Sequence, residues 1–395
     1  MRSHHLYDAM PRVSAHKIIA EINVDALAHN FYTLSSLIPH SEPISVVKAD
    51  AYGHVADICV RMLISSGCSF FAVSCIEEAI DVRKICDEEG ADAKILVLGY
   101  TDPALASELC RYDLIQTILS LEYAHALSSF AYSQALSVRS HVAVDTGMNR
   151  IGICANTPDE CISAADEIRK IASLDGIKLE GIFTHFARSD EESSITLSPD
   201  SHTRRQGERF IRVKNFLEES GIKLYTHACN SAAAVRFPEF AFDGVRLGIM
   251  LYGVYPSRHF EGMDIRPVMT LKTVIAHVHT VPTGESVSYG GIYKAQSPTR
   301  VATLPIGYAD GFVRAYSGAQ VTVRTANGDL KAEIIGRICM DQCMIDVTGL
   351  DVKVGDCVIL FGEDPMDLRK LSELAHTIEY ECLCLISARV PRIKK

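Results

Sequence analysis

The chain contains no stretch approaching the roughly 20 consecutive apolar residues that a membrane-spanning helix requires. Its opening residues, MRSHHLYDAMPRVSAHK, hold no apolar signal core. These two absences point to a cytoplasmic protein. Positive charge is also in short supply: Lys and Arg number 39 against 49 Asp and Glu in 395 residues, a formal net charge of -10. A chain so balanced lacks the electrostatic footprint of a nucleic-acid or anionic-membrane binder, so a small-molecule partner is expected. Low-complexity tracts are absent, and 48% hydrophobic with 22% charged residues excludes disordered and coiled-coil classes. The 13 cysteines form no C-x-x-C pair, and their odd number from Cys59 to Cys384 reads as reduced thiols rather than a disulfide framework. Cys339 with Cys343, and Cys382 with Cys384, lack histidines at finger-like spacing and read as buried thiols, so no metal site is expected.

What is present is a repeated alternation. From Ile44 to Tyr252, short β-rich runs are separated by longer amphipathic ones: 44–49, 69–74, 94–99, 113–118, 137–145, 178–186, 223–229 and 244–250. Sequential βα units feed a parallel sheet, and eight of them fit a closed (β/α)8 barrel, typically ~250 residues. A doubly wound open sheet is the alternative, but it usually carries a Gly-rich turn after its first strand, which this chain lacks. Beyond Pro256 the texture becomes β-rich with Gly and Pro punctuation, at 271–281, 300–306, 319–325, 331–340 and 356–362, which reads as an all-β domain. The expected division is an extension over 1–16, a barrel over 25–256 and a β domain over 257–395. The opening run at 17–24 is expected to pair with that last domain, and Asp25 to cap a helix.

Barrels carry their chemistry at the C-terminal ends of the strands. At those ends stand Lys48 and Tyr52; Asp145 through Arg150; His185; Asn230 and Ser231; and Arg246, Gly248 and Ile249. An inward-pointing lysine after an apolar strand loses hydration, which lowers its pKa and suits it to form a Schiff base; a surface lysine at a strand end is the plain alternative for Lys48. Loops after strands seven and eight commonly hold phosphate. A phosphate-bearing aldehyde reaching from there to Lys48 would be pyridoxal phosphate.

Eight segments in order then carry a resemblance. V-V-K-A-D-A-Y-G-H at 46–54, D-T-G-M-x-R-x-G at 145–152, T-H-F-A at 184–187, H-A-C-N-S-A-A at 227–233, S-Y-G at 288–290, G-Y-A-D-G at 307–311, G-R-I-C-M-D at 336–341 and R-V-P-R at 389–392 resemble the alanine racemase family, covering residue 17 to the end. The resemblance implies a pyridoxal-phosphate enzyme interconverting L- and D-alanine, with Lys48 binding the cofactor and serving as one base and Tyr289 as the other. Tyr289 would come from a neighbouring copy, making a homodimer. Arg246 would face the pyridine nitrogen, with His185 beside it, and Arg150 would meet the cofactor phenolate and the substrate carboxylate. Asn230, Tyr52, Ser231, Gly248, Ile249 and Tyr380 would bind the cofactor, the last five at its phosphate. Tyr308, Met340 and Asp341 would line the substrate channel, and Asp190 opens a long polar loop after the sixth strand. For His185, Arg150 and Tyr380 taken singly, a core histidine, a solvated arginine and a packing tyrosine are the ordinary readings.

One position departs from the family pattern. Many members place a carbamylated lysine two residues before the D-T-G-M aspartate, where this chain has Ala143. Arg150 then needs another orienting group, Asp145 or a bound anion. Ile19 stands near the place of the family's usual tryptophan, which concerns packing. Serine is the nearest alternative substrate, since an apolar pocket rejects an added hydroxyl only ~10²-fold. A decarboxylase is disfavoured because Arg246 stands where an acidic pyridine partner is expected, and a cofactor-binding protein without turnover because such relatives lack a second domain.

Overall fold

The computed structural model describes residues 17–191, 198 and 201–395. The N-terminal extension and most of the polar loop after Asp190 therefore lie outside the described residues. The chain divides into two units, one spanning Val24–Arg266 and the other formed by residues up to Asn23 together with Pro267–Lys395.

The opening strand β1 (Ile18–Ile22) belongs to the second unit. Next come α1 (Val24–Ser36), β2 (Glu42–Val46), α2 (Lys48–Gly53), α3 (Ala56–Ser65), β3 (Phe70–Val73), α4 (Ile76–Glu88), β4 (Lys94–Val97), α5 (Ala106–Arg111), β5 (Ile115–Ile118), α6 (Leu121–Ser133) and β6 (Val138–Asp145). A two-residue strand β7 (Ile153–Cys154) precedes α7 (Pro158–Ala172), β8 (Ile177–Phe183), α8 (His202–Glu219), β9 (Tyr225–Asn230), α9 (Ser231–Arg236) and β10 (Gly244–Leu247). Strands β2, β3, β4, β5, β6, β8, β9 and β10 pair in parallel around a closed ring, the β5–β6 pairing completing it, and β7 lies beside β6. This is the (β/α)8 barrel, and the open-sheet alternative is excluded by that closure.

The pattern of side chains explains the ring. Strands β3 and β5 are buried at every position, as Phe70, Phe71, Ala72 and Val73 and as Ile115, Gln116, Thr117 and Ile118, because helices cover one side and the barrel interior the other. The helices show the complementary stripe: α7 buries Cys161, Ala164, Ala165, Ile168 and Ile171 and begins at a capping box in which Thr157 and Glu160 satisfy each other's backbone N–H groups.

The second unit contains β11 (Met269–Val274), β12 (His277–Val281), β13 (Ser286–Val287), β14 (Tyr293–Lys294), β15 (Thr299–Leu304), β16 (Gln320–Thr325), β17 (Gly328–Ile335), β18 (Cys343–Asp346), β19 (Cys357–Phe361), α10 (Pro365–Leu374), α11 (Glu379–Leu385) and β20 (Arg392–Lys394). Nine of its strands form one sheet in the order β12-β15-β18-β17-β16-β19-β11-β1-β20. The strand runs read from sequence are present, together with two helices that the β texture did not signal. The run at 271–281 is two strands rather than one. The amide of Ile275 bonds Asp356 and that of Ala276 bonds Thr303, so the chain changes sheet partners between them.

Candidate active site

The strand expected to end at Lys48 stops at Val46, and Lys48 opens α2. The following residues Ala49, Asp50, Ala51 and Tyr52 all have φ between 52° and 55°, so the lysine is presented by a left-handed turn of four non-glycine residues. Such a conformation costs about 1–2 kcal/mol per residue and needs external support. The Glu78 carboxylate provides part of it, accepting from the amides of Ala49 (2.7 Å) and Ser74 (2.8 Å). Asp50 accepts from the Ala56 amide (2.6 Å) and so ties the turn to the start of α3. Inside, the buried His54 ring places Nδ1 2.9 Å from the carbonyls of both Ala51 and Tyr52 and packs on Tyr252, as does the Tyr52 ring, at 4.7 and 4.9 Å between centroids. Lysine placement here is a product of strain held by its surroundings.

Arg246 of β10 is 4% exposed, and its guanidinium is gripped from several strands. Nη1 donates to Nδ1 of His227 (2.5 Å) and the His227 carbonyl (3.1 Å); Nη2 donates to the carbonyls of Thr184 (2.6 Å) and Ala228 (2.8 Å) and lies 3.4 Å from Nδ1 of His185. Burial pulls its pKa down to about 10, which leaves it charged at neutral pH. Nε has no acceptor among the described residues, so one hydrogen-bond donor remains for a ligand acceptor. His185 follows β8 in an extended segment, and its pKa is driven well below the usual value, first by burial, then by the positive charges of Arg246, Arg150 and Lys48 in that order. The same imidazole thus senses three cations delivered from separate parts of the barrel.

Asn230, Ser231 and Gly248 meet on the neighbouring strands. Asn230 caps α9 by accepting from the Ala233 amide (2.9 Å) and also accepts from the Ser189 hydroxyl (3.0 Å). Ser231 is buried, and its Oγ accepts from the Gly248 amide at 2.8 Å. A methyl group on Gly248 would stand 3.0 Å from the Tyr52 hydroxyl, so glycine leaves open the space between that phenol, Ser231 and the turn beginning at Ile249. Hydroxyls and backbone amides converging on a small gap are suitable donors for a phosphate. With Lys48 and the spare Arg246 donor, the set fits a pyridoxal phosphate.

The segment from Asp145 to Arg150 is shaped by its aspartate, whose Oδ1 accepts from the amides of Gly147, Met148 and Asn149 at 3.0 Å each. Among the described residues Arg150 has no carboxylate partner, and Asp145 acts on the loop backbone instead. A small cavity of about 20 Å3 lies between Ala143, Asp145, Met148, Arg150, Thr184 and His185. Asp190 is half-buried at the edge of the described loop, where burial raises its carboxyl pKa.

The second unit gathers the other expected residues by itself. Tyr289, Tyr308 and Met340 are exposed, at 67%, 42% and 53%. The Ser288 hydroxyl donates to the Arg337 carbonyl (2.6 Å), the Tyr308 amide to Cys339 (3.1 Å) and the Ala309 amide to Met340 (3.0 Å), so three motif segments are knitted into one surface. Asp341 is bound by Arg389 at 2.9 Å, and Arg389 also approaches the buried Asp310 at 3.4 Å. Tyr380 is half-buried on α11, whose neighbouring Glu379 pairs with Arg369 at 2.7 Å. Absent from the expected set are His227, which holds Arg246, and Glu78 and Asp50, which hold the lysine turn. His227 and Asp50 stood in recognised motifs; Glu78 gave no distinguishing signal.

Residues 22–256 match the family model described as alanine racemase, N-terminal domain, and residues 268–394 that of the alanine racemase C-terminal domain. The chain is 40% identical over 383 residues to the alanine racemase of Clostridium novyi, covering 95% of this chain and 94% of that one, and 42% identical over 384 residues to that of Clostridium perfringens strain SM101, covering 95% of each. Solved structures agree: alanine racemase of Clostridium difficile 630 has a TM-score of 0.86 at 36% identity, covering 96% of both chains, and that of Bacillus anthracis with bound L-Ala-P has 0.84 at 30%, covering 98% of this chain and 96% of that one. With barrel, sheet domain and both family models matched along nearly the whole described chain, the protein belongs to the alanine racemase family.

Proposed function

We propose that the chain is a cytoplasmic, homodimeric, pyridoxal-phosphate-dependent racemase that interconverts L- and D-alanine. The observation that carries the reading is the meeting of Lys48, Arg150 and Arg246 around the neutral His185, beside the Ser231, Gly248 and Tyr52 gap. Bound pyridoxal phosphate supplies an electron-withdrawing ring that acidifies the substrate Cα–H bond.

The residues of the chain do the rest. The Lys48 amine would hold the cofactor and, once the substrate amine has displaced it, would take or return the Cα proton. Tyr289, presented by a second copy of the chain, would deliver or accept a different proton on the opposite face, because inversion requires removal and return by two groups. Arg246 would offer a donor to the cofactor's ring nitrogen. An arginine cannot accept the proton that a carboxylate there would share, which limits electron withdrawal and favours prompt return of the proton over side reactions. Arg150 offers a planar fork to the substrate carboxylate. Tyr52, Ser231, Gly248 and Ile249 would hold the phosphate, with Asn230 fixing the Ser231 turn, and the family resemblance would add Tyr380 there and Tyr308, Met340 and Asp341 along the substrate's approach.

The test is a panel of single-enantiomer amino acids followed by chiral separation. Both alanine enantiomers should converge on an equal mixture, serine more slowly. Loss of the carboxyl group instead, or serine turned over faster than alanine, would overturn the assignment.

A further inference from the structure

Two histidines inside the barrel form a chain behind Arg246. His227 on β9 presents Nδ1 to the guanidinium at 2.5 Å, and its Nε2 lies 3.0 Å from Nδ1 of His141 on β6. Both rings are buried, at 0% and 2% exposure. The pair is tightly seated: Phe183 stacks on His227 with centroids 4.8 Å apart and planes at 16°, and Arg246 lies 5.2 Å over the same phenyl ring. The neighbouring strand position is Gly181, where a methyl group would meet the His141 ring at 2.7 Å, so the glycine makes room for that imidazole.

The hydrogen-bond roles along this chain are forced. A guanidinium donates and never accepts, so Nδ1 of His227 must offer a lone pair. A neutral His227 then carries its proton on Nε2 and donates it to His141, whose Nδ1 must also be bare, placing the His141 proton on Nε2. We infer that His141 is a positioning residue for Arg246: its bare Nδ1 accepts the Nε2–H of His227 and, with the guanidinium at the other ring nitrogen, holds that tautomer in place. Neutrality of both rings follows from their surroundings. Burial first, then Arg139, Lys94 and Arg246 bring the His141 pKa to about 3; burial, Arg246 and His141 push that of His227 well below its usual value. Tyr225 and Phe70 complete the wall around His141, and neither adds charge at neutral pH.

The consequence for catalysis rests on the proposed role of Arg246 at the cofactor's ring nitrogen. Were His227 to take the other tautomer, an N–H would face a cationic donor, and the guanidinium would leave its seat. The Arg246 donor would then be misplaced, together with the guanidinium's contacts to Thr184 and Ala228. Neither imidazole touches substrate in this scheme. Their part is to hold one arginine at one orientation without contributing a second charge.

Imidazole nitrogen NMR on protein with isotope-labelled histidine, with and without pyridoxal phosphate, tests the chain directly. Both residues should appear as neutral Nε2–H tautomers between about pH 6 and 9. His141→Asn keeps an acceptor near the Nδ1 position and should retain the His227 tautomer, the cofactor absorption band and kcat within about twofold. His141→Leu should lose the tautomer, shift that band and lower kcat about fivefold to tenfold at nearly unchanged KM. An Nδ1–H or protonated His227 in the unaltered protein would overturn the inference, as would an unchanged tautomer and kcat in His141→Leu. If His141→Leu fails to fold, the wild-type spectrum and His141→Asn still decide. If the wild-type protein does not racemise alanine, the functional reading fails while the tautomer measurement stands independently.

Discussion

Lys48 and Tyr289 are assigned distinct chemistry, and their substitutions should separate cleanly. Lys48→Ala should abolish the visible absorption band of covalently held pyridoxal phosphate; a variant that keeps the band would move the attachment elsewhere. Tyr289→Phe removes only a hydroxyl from an exposed ring, so it should retain the band while racemisation falls at least about 10²-fold, the range typical of a lost general acid or base. Full activity in that variant would remove Tyr289 from the reaction. At this scale Lys48 and Ser231 were legible as site candidates because they lie in short motifs, and Arg246 and Gly248 because they end the eighth strand run. His141 was not, since V-R-S-H-V-A-V-D reads as a strand and says nothing about which ring its histidine will meet. The identity of the residue that supports Arg150 was not legible either. Asp145, the side-chain candidate, spends Oδ1 on three backbone amides, a loop geometry that only coordinates reveal.

The element that most separates sequence from structure is α2. A-D-A-Y holds two alanines, the best helix former, and no glycine, so nothing in its composition announces four left-handed residues in succession. They are imposed by contacts remote in sequence, chiefly Glu78 on α4. Glu78→Ala leaves two amides without their acceptor and should cost about 1–3 kcal/mol of stability, read from denaturant midpoints, together with weaker cofactor retention on dialysis. Normal cofactor retention would show that the lysine turn stands without that support. The (β/α)8 barrel, by contrast, was readable from its runs of Val, Ile and Phe because each strand must be apolar on both faces. Boundaries were less readable where the backbone, rather than hydrophobicity, ends a strand, as at Val46.

For the molecule as a whole, the buried imidazoles set the response to acid. His141, His185 and His227 all have folded pKa values below the ordinary 6.5, with that of His141 near 3. Below pH 6.5 the unfolded chain binds protons that the native state refuses, so stability should fall as acidity rises from about pH 6.5 toward 3. The loss approaches roughly 1.4 kcal/mol per pH unit for each such group. Thermal midpoints measured across this window should decline, and His141→Asn should flatten the slope by removing one titrating ring. An unchanged slope would mean that His141 is protonated in the native protein. A second whole-molecule expectation concerns assembly: if Tyr289 serves the site of a second copy, specific activity should fall on dilution in step with dissociation followed by sedimentation. Activity independent of dilution through that transition would contradict the shared site.

Strand β1 lies between β11 and β20, with Ala20 aligned to both Leu271 and Arg392. During synthesis on the ribosome, this early segment therefore has no lateral neighbours while the entire barrel is being made. It gains one when β11 emerges and the other only after Arg392–Lys394 is released. The barrel can close before its companion sheet is finished, and β1, translated ahead of the barrel, is among the last strands to be flanked.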